Sequence, residues 1–207
     1  MINVSLMSLV LYNSKLKGDE TMVNMDKMVF IVNGKPRAGK DTFAEILNRY
    51  MVVYKYSAVT KVKEIAKQCG WTGAKEEKDR KFLHELKMLT SAYSDLPYQD
   101  VLDKIEKYRS GEILADVFVV DVREPEEIDR LRKATGAITI YIENENVPAI
   151  TSNDADANVA NYEYDFTIFN NGTIEEFEDN IMYFMEFLML MALAMKKENI
   201  DDPWEED

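Results

Sequence analysis

Short apolar runs and amphipathic stripes alternate along the chain from residue 28 onward. Unbroken apolar runs are typical of strands buried on both faces of a parallel sheet, whereas apolar residues at i, i+3, i+4 and i+7 indicate helices. The runs predict strands at 28–32, 51–56, 117–120, 138–142 and 166–169. The stripes predict helices at 43–50, 62–69, 82–93, 101–108, 125–131 and 173–195. The alternation predicts an α/β fold of three layers, with helices on both faces of a mostly parallel sheet.

The chain has 207 residues, which is enough for one domain with a full core. We expect that domain at 28–198, between a flexible leader at 1–27 and an acidic tail at 199–207. The leader is apolar but has neither a basic start nor a small-residue cleavage site, so we do not interpret it as a secretion signal. The predicted location is cytoplasmic.

Composition excludes several kinds of site. The single cysteine and the single histidine cannot build a disulfide framework, a multi-cysteine zinc site or a histidine-rich metal centre. The net charge of −13 argues against nucleic acid as a partner, and no apolar run is long enough for a membrane span. The charge is uneven, since residues 1–133 carry 23 Lys and Arg against 21 Asp and Glu, and residues 134–207 carry 2 against 17. An anionic ligand is therefore expected to bind the first two thirds of the chain.

A glycine-rich segment with the pattern G-x-x-x-x-G-K lies between the first predicted strand and the first predicted helix. In that position the glycines let the backbone wrap around a polyphosphate, and the backbone N–H groups and the helix N-terminus point at the anion. Lys40 would reach the β- and γ-phosphates. The predicted nucleotide-binding residues are Gly34, Lys35, Pro36, Arg37, Ala38, Gly39, Lys40, Asp41 and Thr42.

The sequence Gly39-Lys40-Asp41-Thr42 resembles the phosphate loop of bacteriophage-type deoxynucleoside monophosphate kinases and related small-metabolite kinases of the P-loop, adenylate kinase-like type. The resemblance implies the P-loop NTPase fold, with ATP and Mg²⁺ as cofactors. Aspartate stands where many P-loops have the Ser or Thr that binds magnesium. Asp41 would therefore either hold magnesium through water or fix the loop by capping the helix N-terminus.

Two further segments resemble the same family, so that the resemblance covers about residues 28–185. Residues 119–127 look like its "DVR-x-x-x-E" segment, which implies a role for Asp121 in magnesium binding and for Arg123 in clamping the acceptor phosphate. The alternative is a turn in which Asp121 and Arg123 pair with each other. Residues 164–176 resemble the closing strand and its Asn-Asn-Gly-Thr turn, and Thr173 with Glu176 has the spacing of a capping box.

The family places its acceptor-binding helices at the position of 57–110 in this chain. Ser57, at the end of the second predicted strand, and Arg80, near the start of a long helix, are the candidate acceptor contacts. A solvated helix start is an equal alternative for Arg80.

The family also closes a lid over the phosphates, and lid arginines contribute to transfer. Here the lid position is 143–164, yet residues 134–195 contain no Lys or Arg. We expect this segment not to clamp phosphates. The positive charge should instead come from among five arginines: Arg37, Arg80, Arg123, Arg130 and Arg132.

The resemblance implies ATP-dependent phosphoryl transfer to a nucleoside or deoxynucleoside monophosphate, with Lys40, Asp121 and Arg123 as catalytic residues and Asp41 and Asp121 at the metal. Two alternatives stay open: a kinase of another phosphorylated metabolite, and a regulatory nucleotide-binding protein without transfer. The methionine-rich last helix is expected to be either a core helix or a subunit contact. In the second case the protein would form a homodimer through this helix.

Overall fold

The computed structural model describes residues 27–147, 159 and 162–198. The predicted leader up to residue 26, the middle of the lid-position segment and the acidic tail at 199–207 lie outside the described residues.

Strands and helices alternate as the apolar pattern predicts. The strands are β1 (Met28–Gly34), β2 (Val53–Ser57), β3 (Val117–Asp121), β4 (Ile138–Glu143) and β5 (Phe166–Phe169). The helices are α1 (Lys40–Leu47), α2 (Thr60–Gln68), α3 (Glu77–Ser94), α4 (Leu96–Arg109), α5 (Pro125–Thr135) and α6 (Ile174–Glu198). The stripe that predicted the first helix extends three residues beyond its end and begins three residues after its start. Tyr50 lies in the turn after α1 and donates a hydrogen bond to Glu178 instead of packing inward.

Within the described residues the five strands form one sheet in the order β2-β3-β1-β4-β5, and every pair is parallel. The first strand is therefore central, with β3 on one side and β4 on the other. All carboxyl ends meet at one edge, and the segment after β1 lies in the middle of that edge. This is where ligands bind in open α/β sheets.

The two faces of the sheet carry two separate apolar cores. Phe30 and Val32 of β1 pack on the face that α1 and α6 cover, while Val29 and Ile31 pack on the face that α4 and α5 cover. This is the alternation of side chains along a strand. The predicted three-layer α/β fold of the P-loop type is confirmed by this sheet and by the loop that joins β1 to α1.

Helix α6 is a core helix on one side and exposed on the other. Its inner stripe places five side chains in the core with α1 and the sheet, namely Phe177, Ile181, Phe184, Met185 and Leu188. Burial of each stabilises the fold by roughly 1.5–3 kcal/mol. Its outer side exposes Tyr183, Met189 and Leu190. A homodimer through this side stays a prediction. No helix among the described residues is long and apolar enough to cross a membrane.

Candidate functional site

The loop between β1 and α1 has the backbone that its glycines predict. Gly34, Arg37 and Gly39 have φ values of 152°, 68° and 110°. A Cβ at Gly34 would lie 2.5 Å from the backbone oxygen of Ile142, and one at Gly39 would lie 2.5 Å from Nδ2 of Asn170. Gly34 is therefore required for space as well as for conformation, whereas at Gly39 the conformation requires glycine and a side chain would displace Asn170.

The loop leads directly into the N-terminus of α1. Gly39 is the N-cap residue, and its carbonyl oxygen accepts a hydrogen bond of 2.8 Å from the N–H of Phe43. The first N–H groups of a helix have no partner within the helix, and together with the helix dipole they attract anions. Thr42 lies in this first turn, and Ala38 is fully buried beneath the loop.

Lys40 extends back across the loop. Its Nζ donates hydrogen bonds to the backbone oxygens of Gly34 at 2.6 Å and Lys35 at 3.0 Å. The ammonium group is thus held at the loop, as the predicted contact with the phosphates requires. The same oxygen of Lys35 accepts a hydrogen bond of 3.0 Å from the N–H of Ala38, which closes the turn.

A cleft of about 230 Å³ opens beside this loop. Its lining combines the loop with side chains from β2, from β3 and from the segment after β3. The charged residues in the lining are Arg37, Lys40, Asp41, Lys55, Asp121 and Arg123, and Val32, Pro36 and Val119 complete it. Cations outnumber carboxylates among these residues, so the cleft favours an anion.

Asp121 is the last residue of β3 and is partly buried. Its Oδ1 is buried and has no hydrogen-bond partner among the residues that the structure describes. A buried acceptor without a partner costs roughly 1–3 kcal/mol, so such an atom in a cleft indicates a ligand contact. Asp121 ends a paired strand, so the alternative prediction is wrong in placing it in a turn, while its pairing with Arg123 stays a prediction.

The residues fit a magnesium ion. Mg²⁺ prefers oxygen ligands and is usually held by one or two carboxylates together with water and substrate phosphates. Asp121 and Asp41 supply two carboxylates to the same cleft. The described residues contain no group of three or more His, Cys, Asp or Glu that could hold a metal by itself.

The three predicted acceptor contacts do not all lie at the cleft. Ser57 ends β2 and lies in register with Asp121, at the same edge of the sheet as the cleft. Arg123 is exposed and lines the cleft. Arg80 is exposed in the first turn of α3 and does not line it, so the structure does not bring Arg80 to the cleft.

Two of the five candidate arginines are engaged elsewhere. Arg130 pairs with Asp95 and lies over the ring of Tyr98, with its Cζ 3.9 Å from the ring centroid. Arg132 donates to Asp165 at 2.5 Å. These ion pairs connect α5 to α4 and to the start of β5, and neither arginine lines the cleft, whereas Arg37 and Arg123 from the same set do.

No protein-family model and no curated relative matches this chain. Solved structures similar to it include a dephospho-CoA kinase from Campylobacter jejuni, 19% identical over 78% of this chain and 97% of that chain, with a TM-score of 0.47. Another is a shikimate kinase from Aquifex aeolicus vf5, 15% identical over 79% of this chain and 99% of that chain, with a TM-score of 0.43. The resemblance to bacteriophage-type kinases stays a prediction.

The closing turn after β5 supports the phosphate loop. Nδ2 of Asn170 donates a hydrogen bond of 2.8 Å to the backbone oxygen of Ala38, and the N–H of Asn170 donates to Glu143 at the end of β4. The predicted capping box that follows is confirmed, because Thr173 and Glu176 exchange side-chain to backbone hydrogen bonds.

Two residues of the site were missed by sequence reasoning. Asn33 is fully buried at the end of β1, where its Nδ2 donates to the backbone oxygen of Val122 and its Oδ1 accepts from the N–H of Gly34, both at 2.9 Å. It thus ties the loop to the segment that carries Arg123. The available signal in the sequence was the polar side chain of Asn33 directly after the apolar run at 28–32.

Lys55 is the second missed residue. It pairs with Asp41, and this hydrogen bond lowers the pKa of the Asp41 carboxyl. The pairing also corrects the proposed capping role of Asp41, since the N-cap of α1 is Gly39, which has no side chain.

Proposed function

We propose that this protein binds ATP with magnesium and transfers its γ-phosphoryl group to a small phosphorylated acceptor, a nucleoside or deoxynucleoside monophosphate in the first instance. The observation that carries the proposal is the convergence on one cleft of the glycine-rich loop, Lys40, Arg123 and the Asp121 oxygen that has no hydrogen-bond partner within the described part of the chain. The loop and α1 are suited to a polyphosphate, and Arg123 enters from another part of the chain.

The donor side of this proposal uses the loop backbone and Lys40. The N–H groups at the start of α1 would bind phosphate oxygens, and Lys40 would exchange its two carbonyl partners for the β- and γ-phosphates. Asp121 and Asp41 would hold magnesium, which would neutralise charge on the phosphates.

The acceptor side uses Arg123 and Ser57. Arg123 would bind the acceptor phosphate in a bidentate manner, with Ser57 beside it at the end of β2. An oxygen of that phosphate would attack the γ-phosphorus as the bond to ADP breaks. The protein needs no nucleophile of its own, because catalysis depends on holding donor and acceptor in line and on neutralising charge.

A regulatory nucleotide-binding protein is the second candidate. One observation favours it: residues 134–195 hold no Lys or Arg, and Arg130 and Arg132 are engaged in ion pairs away from the cleft. The supply of positive charge for transfer is therefore smaller than the family resemblance implies. A kinase of another phosphorylated metabolite would use the same residues with a different acceptor.

ADP formation by the purified protein tests the proposal. The protein is incubated with Mg-ATP and a panel of ribo- and deoxyribonucleoside monophosphates, and then with other phosphorylated metabolites. We expect acceptor-dependent ADP formation that is lost in Lys40→Ala. ATP binding without turnover on any acceptor would favour the regulatory protein, and absence of ATP binding would overturn both.

A further inference from the structure

Lys55 occupies a position on β2 at which the alternation of the strand predicts an apolar, core-facing side chain. Tyr54 and Tyr56 pack in the core beneath α4, whereas Val53 packs in the core beneath α1. By alternation Lys55 lies on the α1 face, and its register partner is Val119, which is 2% exposed. A lysine at this point places a charge at the border of the core.

Stability alone does not explain this lysine. Its partner is Asp41 in the first turn of α1, and the two side chains are 40% and 84% exposed. Ion pairs with this exposure contribute roughly 0–1 kcal/mol, which is less than a well-packed apolar side chain would contribute here. Both members of the pair do, however, line the cleft, together with Lys40 and Asp121.

Among the described residues, those after Arg123 supply no cation to the lining of the cleft. Residues 134–195 contain no Lys or Arg, and Arg130 and Arg132 pair with Asp95 and Asp165. Lys55 lies on a strand, so its backbone position is fixed by the ladder with β3. A cation on a fixed backbone at a phosphate cleft is suited to binding an anion.

We infer that Lys55 is a phosphate-binding residue of the cleft. Asp41 holds its ammonium group in place, and a phosphate oxygen replaces the Asp41 carboxylate when the anion binds. This deepens the proposed function and rests on it, since it needs the cleft to take a phosphate chain. It also assigns a role to a residue that the phosphate-loop pattern does not include.

The test compares three variants by calorimetry, with inorganic tripolyphosphate as the probe and without magnesium. Lys55→Met removes the cation, Asp41→Asn removes its competitor, and Lys61→Met is the control. Lys61 is a matched control because its side chain is 42% exposed and pairs with Glu64 on α2, and neither residue lines the cleft. Chemical denaturation establishes that each variant is folded, and Lys55→Arg serves as the charge-retaining variant.

We expect Lys55→Met to weaken tripolyphosphate binding by roughly tenfold or more, since a charge-assisted contact is lost. Asp41→Asn should bind at least as tightly as the parent, because a competing carboxylate is gone. Lys61→Met should match the parent, and Lys55→Arg should retain most of the affinity.

Two results would overturn the inference. Unchanged affinity in Lys55→Met, with Lys40→Ala impaired, would remove Lys55 from the site while leaving the proposed function intact. Equal weakening by Lys55→Met and Asp41→Asn would indicate a structural ion pair only. Failure of the parent to bind tripolyphosphate would overturn the proposed function and this inference together.

Discussion

The carboxyl edge of the sheet divides into two halves of opposite character. The half formed by β2, β3 and β1 with its loop presents Arg37, Lys40, Lys55 and Arg123 to the cleft. The half formed by β4 and β5 belongs to a stretch, residues 134–195, that has no Lys or Arg at all. Both halves contact the same loop, yet only the first carries cations that line the cleft.

The second half instead supports the shape of the loop. The backbone oxygen of Ile142 lies where a side chain at residue 34 would have to go, and Asn170 holds the backbone oxygen of Ala38. The comparison teaches that the cations of this site come from the first half alone, whereas the second half contributes to the shape of the loop. Substitutions in one half should therefore change anion binding by a different mechanism, and by a different amount, than substitutions in the other.

Lys40→Ala should produce the largest effect. We expect Mg-ATP binding to weaken strongly and any phosphoryl transfer to fall by at least ~10²–10³-fold, because a preorganised charge at the phosphates is lost. Calorimetry and ADP formation measure this. Lys35→Ala is the matched control in the same loop, since Lys35 contributes its backbone oxygen and does not line the cleft. Equal effects of the two substitutions would contradict the account.

Arg123→Ala should produce the second largest effect. We expect the KM of the acceptor to rise by roughly tenfold and kcat to fall, with ATP affinity little changed, because a bidentate phosphate contact is lost. Arg80→Ala, at an exposed arginine away from the cleft, should leave both constants near those of the parent. Steady-state kinetics with the best acceptor decides, and a large effect of Arg80→Ala would restore the acceptor role that the structure does not support.

Asn170→Ala should have a smaller effect on ATP affinity, because it changes the shape of the loop and not the charge of the cleft. Loss of one hydrogen bond to the loop is expected to weaken ATP binding by about 2–10-fold. Asn171→Ala is the control, since its Oδ1 accepts a comparable hydrogen bond of 2.9 Å from Glu145 and makes none to the loop. If both variants bound ATP like the parent, the support that we assign to β5 would be wrong.

Exchange of residues 148–158 for a short Gly/Ser linker should have the smallest effect. The segment contains Asp154 and Asp156 and no cation, so its loss is expected to change ATP affinity and kcat by less than about threefold. The exchange retains Val159, which is buried and whose backbone oxygen accepts from Tyr164. A loss of a hundredfold in kcat with the fold preserved would show that the segment is a working lid.

The alternation of apolar patterns predicted the strands, the existence and order of the helices and the position of the loop, while several helix ends differ by three to five residues. These features depend on local periodicity and on the backbone needs of Gly34 and Gly39, which are visible along the chain. The capping box at Thr173 was predictable for the same reason, since both of its residues lie within one turn.

The set of cations at the cleft was predictable only in part, because the motifs indicate Arg37, Lys40 and Arg123 but not Lys55. Lys55 reaches the site because β2 pairs with β3 in one register and because α1 lies over that face. Arg130 and Arg132 are lost to it because Asp95 and Asp165 lie near them only after folding. Both outcomes depend on contacts between residues that are distant in sequence, and such contacts produce no local pattern from which they could be predicted.

The central claim is that a nucleotide binds at the half formed by β1, β2 and β3. Backbone amide chemical shifts of the folded protein during a Mg-ATP titration test it most directly. We predict the largest shifts at Gly34–Thr42, with further shifts at Lys55, Ser57, Asp121 and Arg123, and little change at Arg80 or at 143–147. Shifts concentrated at 143–147 and at Arg80, or the absence of any saturable shift at Gly34–Thr42, would contradict the account.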